Sequence, residues 1–469
     1  MEMLNEIINQ VNTILWSYIL IVLLIGLGLY FTIRTGFVQL RYLPNMFRVL
    51  VEGTGSRELG QISSFQAFCV STASRVGVGN IAGVAIAIVL GGPGAIFWMW
   101  VVAIIGSATG FVESTLAQIY KIPRGKWNYH GGPAYYIQNV LHMPKLAKLF
   151  SLLLMTTFAL VYNSLQANTI TLSLENAFGW DRTIVGIVVS ILLALVLCGG
   201  AHFVARVAEM LVPVMAGAYL LITLFVIVTN FGKLPDVFAL IISNAFAPQA
   251  AVAGGFGACL MNGIKRGLFS NEAGEGSVPN AAATAYVSHP VKQGLIQSFG
   301  VYVDTLLICS ASASLVLLSG VYEIGGKVTG IELIQKCLAA EVGSWSVIFI
   351  GVMIMMFAFS SLVGNYYYGE INLAFLTGSK AALYVFRAAV VAMTMFGSIA
   401  SLPLVWNLAD LFMAFLATTN LYAISRLFKF AKIALDDYEQ QLAQGMDPEF
   451  DPHVLPSLDG VYAWGMEKK

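Results

Sequence analysis

The chain has 469 residues; 58% are hydrophobic, only 11% are charged, and 25 Lys and Arg balance 25 Asp and Glu. A soluble domain carries about 25% charged residues, so the composition excludes a water-covered globule, and the zero net charge leaves no electrostatic footprint for nucleic acid. One lipid-embedded domain is expected. The N-terminal stretch MEMLNEIINQ lacks the basic start of a cleavable signal peptide. The five cysteines (Cys69, Cys198, Cys259, Cys309, Cys337) show no metal or redox spacing, and four sit in apolar runs, where a thiol acts as a small hydrophobe.

A membrane helix needs roughly 20 apolar residues. About eleven runs qualify: 12–34, 63–90, 94–120, 148–178, 182–203, 206–230, 250–275, 294–320, 345–376, 380–402 and 404–428. They are continuous and lack the alternation of a barrel strand. With the N-terminus outside, eighteen Lys and Arg fall on the inner side, Arg34, Arg57, Lys126, Arg206, Lys468 and Lys469 among them. Only Arg182, Lys233, Lys327 and Lys336 fall outside. The positive-inside rule therefore places the N-terminus outside and the C-terminus in the cytoplasm. The tail from about 430 is polar and contains prolines, and is expected to be cytoplasmic and partly disordered.

Two of these runs are broken. The first, at 63–90, is interrupted at RVGVGN; the second, near 250–275, carries GGFG, MNGIKRG and SNEAGEG. Glycine frees a helix backbone, and an unwound backbone in lipid is tolerated only where it lines a cavity or meets a ligand. Each break opens a block of five spans, 63–230 and 250–428, and an odd number of spans inverts the second block relative to the first. Interrupted helices at matching places in two halves point to an inverted-repeat secondary transporter. Residues 1–62 then supply an extra N-terminal helix and a cytoplasmic connector, and 430–469 the tail. Gly79 and Gly83 also form a GxxxG packing pattern. Packing alone does not require Arg75 and Asn80, and a charge at mid-membrane costs at least about 2.5–3.5 kcal/mol.

The stretches GNIAGVAIAI, GGPGAIFWMW, GGPAYYI, RGLFSNEAG and FAFSSLVGNYYYGE, in unbroken order between about 60 and 430, resemble the alanine/glycine:cation symporter family. The resemblance implies an all-α, leucine-transporter-like fold of two inverted five-helix repeats. It implies a cation-driven amino acid importer of a bacterial or archaeal inner membrane, working as a monomer with no cofactor besides Na⁺ as coupling ion. Its partners are then a small amino acid, the cation and the bilayer. In such a fold the first helix of each repeat unwinds; free N–H groups hold the substrate carboxylate and free carbonyls hold Na⁺.

Carried over by motif, Gly77, Gly79 and Asn80 face the substrate, as do Asn262 and Gly263 in the second broken helix. Gln166 lines the pocket. Ser360 and Ser361 match a hydroxyl pair that coordinates Na⁺, with Ser361 also touching substrate, and the carbonyls of Ala73 and Val76 complete that ion site; such hard oxygens suit a small hard cation. Two positions depart from the family. Arg75 stands where many members have Thr, beside a second Na⁺ site that this guanidinium is expected to displace. Asn365 stands where many members have a pocket-capping Trp, which favours a substrate larger than alanine, such as glutamine.

Glu113, Glu209, Asp304, Glu370 and Asp410 are the acids in or at the ends of spans. Glu113 and Asp304 are candidate partners for Arg75, or else cap and bridge helices. Arg266, Asn271, Glu272 and Glu275 read either as a cytoplasmic gate or as a static ion-pair cluster. Trp98, Trp100, Trp127 and the tyrosines at 366–368 are expected to be interfacial anchors. His130, His142, His202, His289 and His453 fall in loops, at span ends or in the tail, and neither HExxH nor GxSxG occurs, so an enzyme is not indicated. A channel would build its filter from symmetric subunits. Two breaks in one chain indicate alternating access instead. H⁺ coupling is the alternative to Na⁺, with the fixed charge of Arg75 replacing one cation.

Overall fold

The computed structural model describes residues 2–52, 61–125, 128–246 and 255–464. Arg57, Lys126, Trp127, Lys468, Lys469 and the start of the seventh expected span (250–254) lie outside the described residues, as do the side chains of His202, Arg206 and Glu209.

The chain is helical almost throughout. In order the helices are α1 (Asn5–Arg34), α2 (Leu43–Glu52), α3 (Ser64–Arg75), α4 (Gly79–Gly91), α5 (Ala95–Ile119), α6 (Pro133–Asn139), α7 (Pro144–Phe178), α8 (Arg182–Leu197) and α9 (Gly200–Thr229). There follow α10 (Leu234–Phe246), α11 (Gly255–Asn271), α12 (Val278–Ala282), α13 (Pro290–Ser319), α14 (Gly330–Val342), α15 (Trp345–Leu376), α16 (Lys380–Ile399) and α17 (Leu402–Ala443). One two-stranded hairpin, β1 (Ile122–Pro123) with β2 (Tyr129–His130), joins α5 to α6. Among the described residues seven helices are long and apolar enough to cross a membrane, or nine if each of two bent pairs is one span. The run at 182–203 gives the shorter apolar helix α8, and 250–275 gives α11.

Local chemistry sets the ends. Ser63 opens α3 with a capping box: its hydroxyl accepts the Gln66 N–H, and the Gln66 side chain accepts the Ser63 N–H. Asp181 caps α8 by accepting from the N–H groups of Thr183 and Ile184. Pro133, Pro144 and Pro290 each begin a helix, where no amide donor is needed. Tyr18, Val22, Ile184, Ile191 and Leu195 point away from the fold, giving α1 and α8 apolar faces suited to lipid. α5, α13 and α15 are packed inside.

The first break falls at residues 76–78, where α3 and α4 meet at 51°. The second falls at the last of the three stretches marked for it, SNEAGEG, and not at Asn262 and Gly263. α11 runs unbroken through Asn262 and Gly263, and the chain unwinds only at 272–277, where Glu272, Gly274 and Gly276 take φ of 55°, 96° and 79°. Gly263 serves packing instead: a Cβ there would lie 2.5 Å from the Ala95 carbonyl. The acid-and-glycine run EAGEGS, not MNGIKRG, is what cannot stay helical, because two glycines and Glu272 adopt the left-handed region.

Two further expectations are corrected. Tyr366, Tyr367 and Tyr368 are buried in α15, not placed as interfacial anchors. The tail is folded: α17 continues to Ala443, and residues 444–464 turn back along the ends of other helices. Gln441 grips the reversed chain, its amide donating to the Glu449 carbonyl at 2.8 Å while its oxygen accepts the Glu449 N–H at 2.9 Å. A polar composition argued for disorder; this paired contact and buried Phe450 and Leu455 hold the segment in place.

Candidate functional site

The first break presents its freed amides to side chains from two helices, and a third helix packs against it. The Gly77 N–H donates to Asn80 Oδ1 at 2.9 Å, and the Val78 N–H to Gln166 Oε1 of α7 at 3.2 Å. A Cβ on Gly77 would stand 2.3 Å from Ser361 Oγ of α15 and 3.1 Å from Gln166 Oε1, so only glycine lets these groups converge. Gly79 lies under the Phe269 ring, which a Cβ would approach to 2.7 Å. Asn80 donates to Ser270 Oγ at 2.8 Å, joining the first break to the end of α11.

One turn earlier, a knot of oxygens joins α3 to α15. Ser361 Oγ lies 3.0 Å from the Ala73 carbonyl and 3.2 Å from that of Ser74, and Ser360 Oγ lies 3.5 Å from the Ala73 carbonyl. Neutral hydroxyls and carbonyls at this spacing form a donor set for a small hard cation. Ser74 Oγ sits between Glu272 Oε1 (2.7 Å) and Asn365 Oδ1 (2.8 Å), and Asn365 Nδ2 donates to Asn163 Oδ1 at 3.0 Å.

The second break is held by acids. Glu113 of α5 accepts the Gly274 N–H at 3.2 Å and the Asn420 amide of α17 at 2.7 Å. Glu272 accepts from Ser277 at 2.6 Å, and Glu275 from the Tyr162 hydroxyl at 3.1 Å. Asp304, on a π-helical stretch of α13, accepts from Ser270 at 2.5 Å and Thr305 at 2.8 Å. Four buried carboxyl groups, Glu113, Glu272, Glu275 and Asp304, thus surround the two breaks.

Arg75 pairs with none of them. Its Nη1 donates to the Gln297 carbonyl at 3.2 Å, and its Nε and Nη2 find no hydrogen-bond partner among the described residues. Gly300 makes the room, since a Cβ there would lie 2.2 Å from that Nη1. Glu113 and Asp304 are engaged by the second break and by Ser270, so neither is the direct counter-ion expected for Arg75. Arg266 likewise leaves Glu272 and Glu275: it bonds to Asp410, which Lys265 also approaches at 3.6 Å. The Arg266 guanidinium lies over the Trp406 ring at 4.4 Å, and Trp406 packs on Phe269 at 5.1 Å. The group expected as one cluster, gate or static, is therefore two separate clusters.

The sodium:alanine symporter family matches residues 1–452. The chain belongs to this family. It is 50% identical over 463 residues to a Bacillus subtilis (strain 168) protein named "Probable sodium/glutamine symporter GlnT", covering 99% of this chain and 96% of that one. It is 36% identical over 426 residues to the "Sodium/alanine symporter AgcS" of Methanococcus maripaludis, covering 89% and 94%. In fold it is similar to a crystal structure of the Eremococcus coleocola manganese transporter, with a TM-score of 0.50 and 12% identity over 84% of each chain. This symporter is thus an all-helical, multi-pass membrane protein of leucine-transporter-like fold.

Of the residues marked from sequence, Ala73, Gly77, Gly79, Asn80, Gln166, Ser360, Ser361 and Asn365 converge around the first break. Val76 ends α3 with its N–H on the Thr72 carbonyl at 2.8 Å. Asn262 does not join them; its amide bonds to its own helix at the Ala258 carbonyl, 2.9 Å away. Ser74, Asn163, Ser270, Ser277 and Asn420 were missed. The signal for Asn163 and Asn420 was available, since an amide inside an apolar span needs a partner. Serines in a helix give no such signal, because they can bond to the preceding turn.

Proposed function

We propose that this symporter imports a small neutral amino acid, glutamine in preference to alanine, with Na⁺ by alternating access across a prokaryotic inner membrane. The reading takes residues 63–230 and 250–428 as inverted repeats, with the N-terminus outside and the C-terminus in the cytoplasm. The observation that carries it is the meeting of the two breaks: neutral amides and hydroxyls on one side, buried carboxyl groups on the other, one oxygen knot beside them.

Na⁺ binds first, at the Ala73 and Val76 carbonyls and the hydroxyls of Ser360 and Ser361, tying α3 to α15. The substrate carboxylate then displaces side-chain acceptors from the amides around Gly77, Gly79 and Asn80. Its ammonium turns toward the second break, where the carboxyl oxygens of Glu272 and Glu275 can accept from it; this role replaces the one expected of Asn262 and Gly263. Gln166 and Asn365 contact the side chain, and an amide substrate can take over the bonds that Asn365 makes internally. Ion and substrate are coupled because both favour the same closed state. The Arg75 guanidinium adds a fixed positive charge within reach of Glu113, Glu272 and Asp304, which supports a single Na⁺ per cycle. One chain holds every group named, so a monomer suffices. The similarity to the glutamine-named and alanine-named relatives supports this substrate class.

The test is uptake of labelled glutamine and alanine into proteoliposomes under a Na⁺ gradient. Accumulation of glutamine that collapses without Na⁺ is expected. Equal uptake in Na⁺-free buffer under a pH gradient would overturn Na⁺ coupling in favour of H⁺.

A further inference from the structure

The cytoplasmic ends of the two broken helices touch. Ile62, just before α3, pairs with Ala285, just after α12, as a parallel bridge, and the Tyr286 N–H donates to the Ile62 carbonyl at 2.9 Å. Ile62, Ala67, Ala285 and Val287 form a small apolar cluster of their own, and the residue packed over it is Trp464 of the tail. An inward opening must part these two ends.

The tail is fastened at both ends of this seam. At one end Lys292 Nζ meets Asp447 at 2.7 Å, Ser288 Oγ donates to the Pro448 carbonyl at 2.9 Å, and the Phe450 N–H donates to the Ser288 carbonyl at 2.9 Å. At the other, Trp464 Nε1 donates to the Gln118 carbonyl of α5 at 2.9 Å, and its ring packs edge-to-face with Phe450 at 5.0 Å and under Lys121 at 4.7 Å. Gln118 also donates to the Ala285 carbonyl at 2.9 Å. The segment thus links α17, the loop after α12, the start of α13 and the inner end of α5.

We propose that residues 444–464 are a strap that holds the cytoplasmic mouth shut and must loosen each time the transporter opens inward. It biases the resting chain toward outward-open and closed states. The physical reason is differential contact: the bonds from Asp447, Pro448, Phe450 and Trp464 tie the segment after α17 to the ends of α5, α12 and α13, so a state in which those ends move apart forfeits them and the strap stabilises only the state in which they are together. The proposal rests on the reading above that places the C-terminus in the cytoplasm and has the chain exchange between outward and inward states; it needs no particular substrate or ion.

The test uses the full chain with its native cysteines replaced by serine and one cysteine placed by Val70→Cys, two turns inside α3. Inverted membrane vesicles expose the cytoplasmic side to a membrane-impermeant maleimide, without substrate or Na⁺. Trp464→Ala and Lys292→Gln loosen opposite ends of the strap, and each is expected to speed labelling about fivefold. Trp464→Phe, which keeps an aromatic edge-to-face contact with Phe450, should lie nearer the parent rate. Unchanged labelling in both loosening variants would overturn the strap, and so would acceleration by only one, which reports local packing. Since the readout needs no transport, its failure is separate from failure of the Na⁺-coupled uptake reading.

Discussion

The two breaks solve one problem by different means. The first is three residues long and neutral: its loose amides are taken up by Asn80 and Gln166, groups that a ligand can replace. The second is six residues long, enters the left-handed region three times, and is fixed by Glu113 and Asn420 from helices on either side. Tyr136 extends that support by donating to Asn420 at 2.8 Å. A break whose partners are exchangeable side chains is fit to receive a carboxylate. A break lined by carboxyl groups is fit to receive an ammonium, and its rigid frame keeps that charge in place.

The largest effect should come from attacking the frame of the second break. Gly276 has φ of 79°, and a Cβ there would lie 2.8 Å from both Asn420 and Pro133. Gly276→Ala therefore combines backbone strain with overpacking, a loss of about 3 kcal/mol or more, read as a lower thermal midpoint and poor yield in detergent. Gly77→Ala should act differently. Its new methyl meets the flexible ends of Ser361 and Gln166, so the protein folds, while Na⁺-driven uptake falls about tenfold or more, equivalent to ~1.4 kcal/mol. If Gly77→Ala unfolds the protein and Gly276→Ala merely slows uptake, the contrast between the breaks is wrong.

A subtler change sharpens the first break. Asn365→Trp should shift relative uptake from glutamine toward alanine and glycine, with a change of a few-fold, measured by competition. Unchanged ratios would remove Asn365 from the pocket.

The smallest effect concerns the contact between α13 and the tail. His289, at the start of α13, faces Asp437 at 3.1 Å, Lys292, and the rings of Tyr438 and Phe450. Burial pushes its imidazole below the usual range against the pull of Asp437, and Lys292 adds to the lowering. The imidazole binds a proton less readily when packed than when released, so the packed arrangement is fully stable above about pH 6.5 and weakens as pH falls below it. Hydrogen exchange at the Phe450 amide, corrected for intrinsic rate, should lose protection below that pH.

Much of this was legible in the residues. Long apolar runs fixed the helices, since lipid leaves a backbone no other partner. Glycines beside Asn80 marked the first break, and the serine pair marked the oxygen knot. Residue type did not tell which of the marked stretches holds the second break, because glycine in MNGIKRG and glycine in SNEAGEG look alike in sequence; one serves close packing on Ala95, the other a positive φ. The tail was misjudged because composition reports the lack of a core of its own, not the presence of another surface to fold on.

The sequence by itself thus determined a membrane-spanning helical chain, its family, and the neutral half of the site, because each depends on residue type and local spacing. The tertiary structure alone decided that Arg266 belongs to Asp410, that Glu113 supports the second break while Arg75 has no counter-ion in contact among the described residues, and that the tail packs over the joined helix ends. Those are pairings across hundreds of residues in a medium of low polarity, where each buried charge or amide is settled by whichever group the fold brings within about 3 Å.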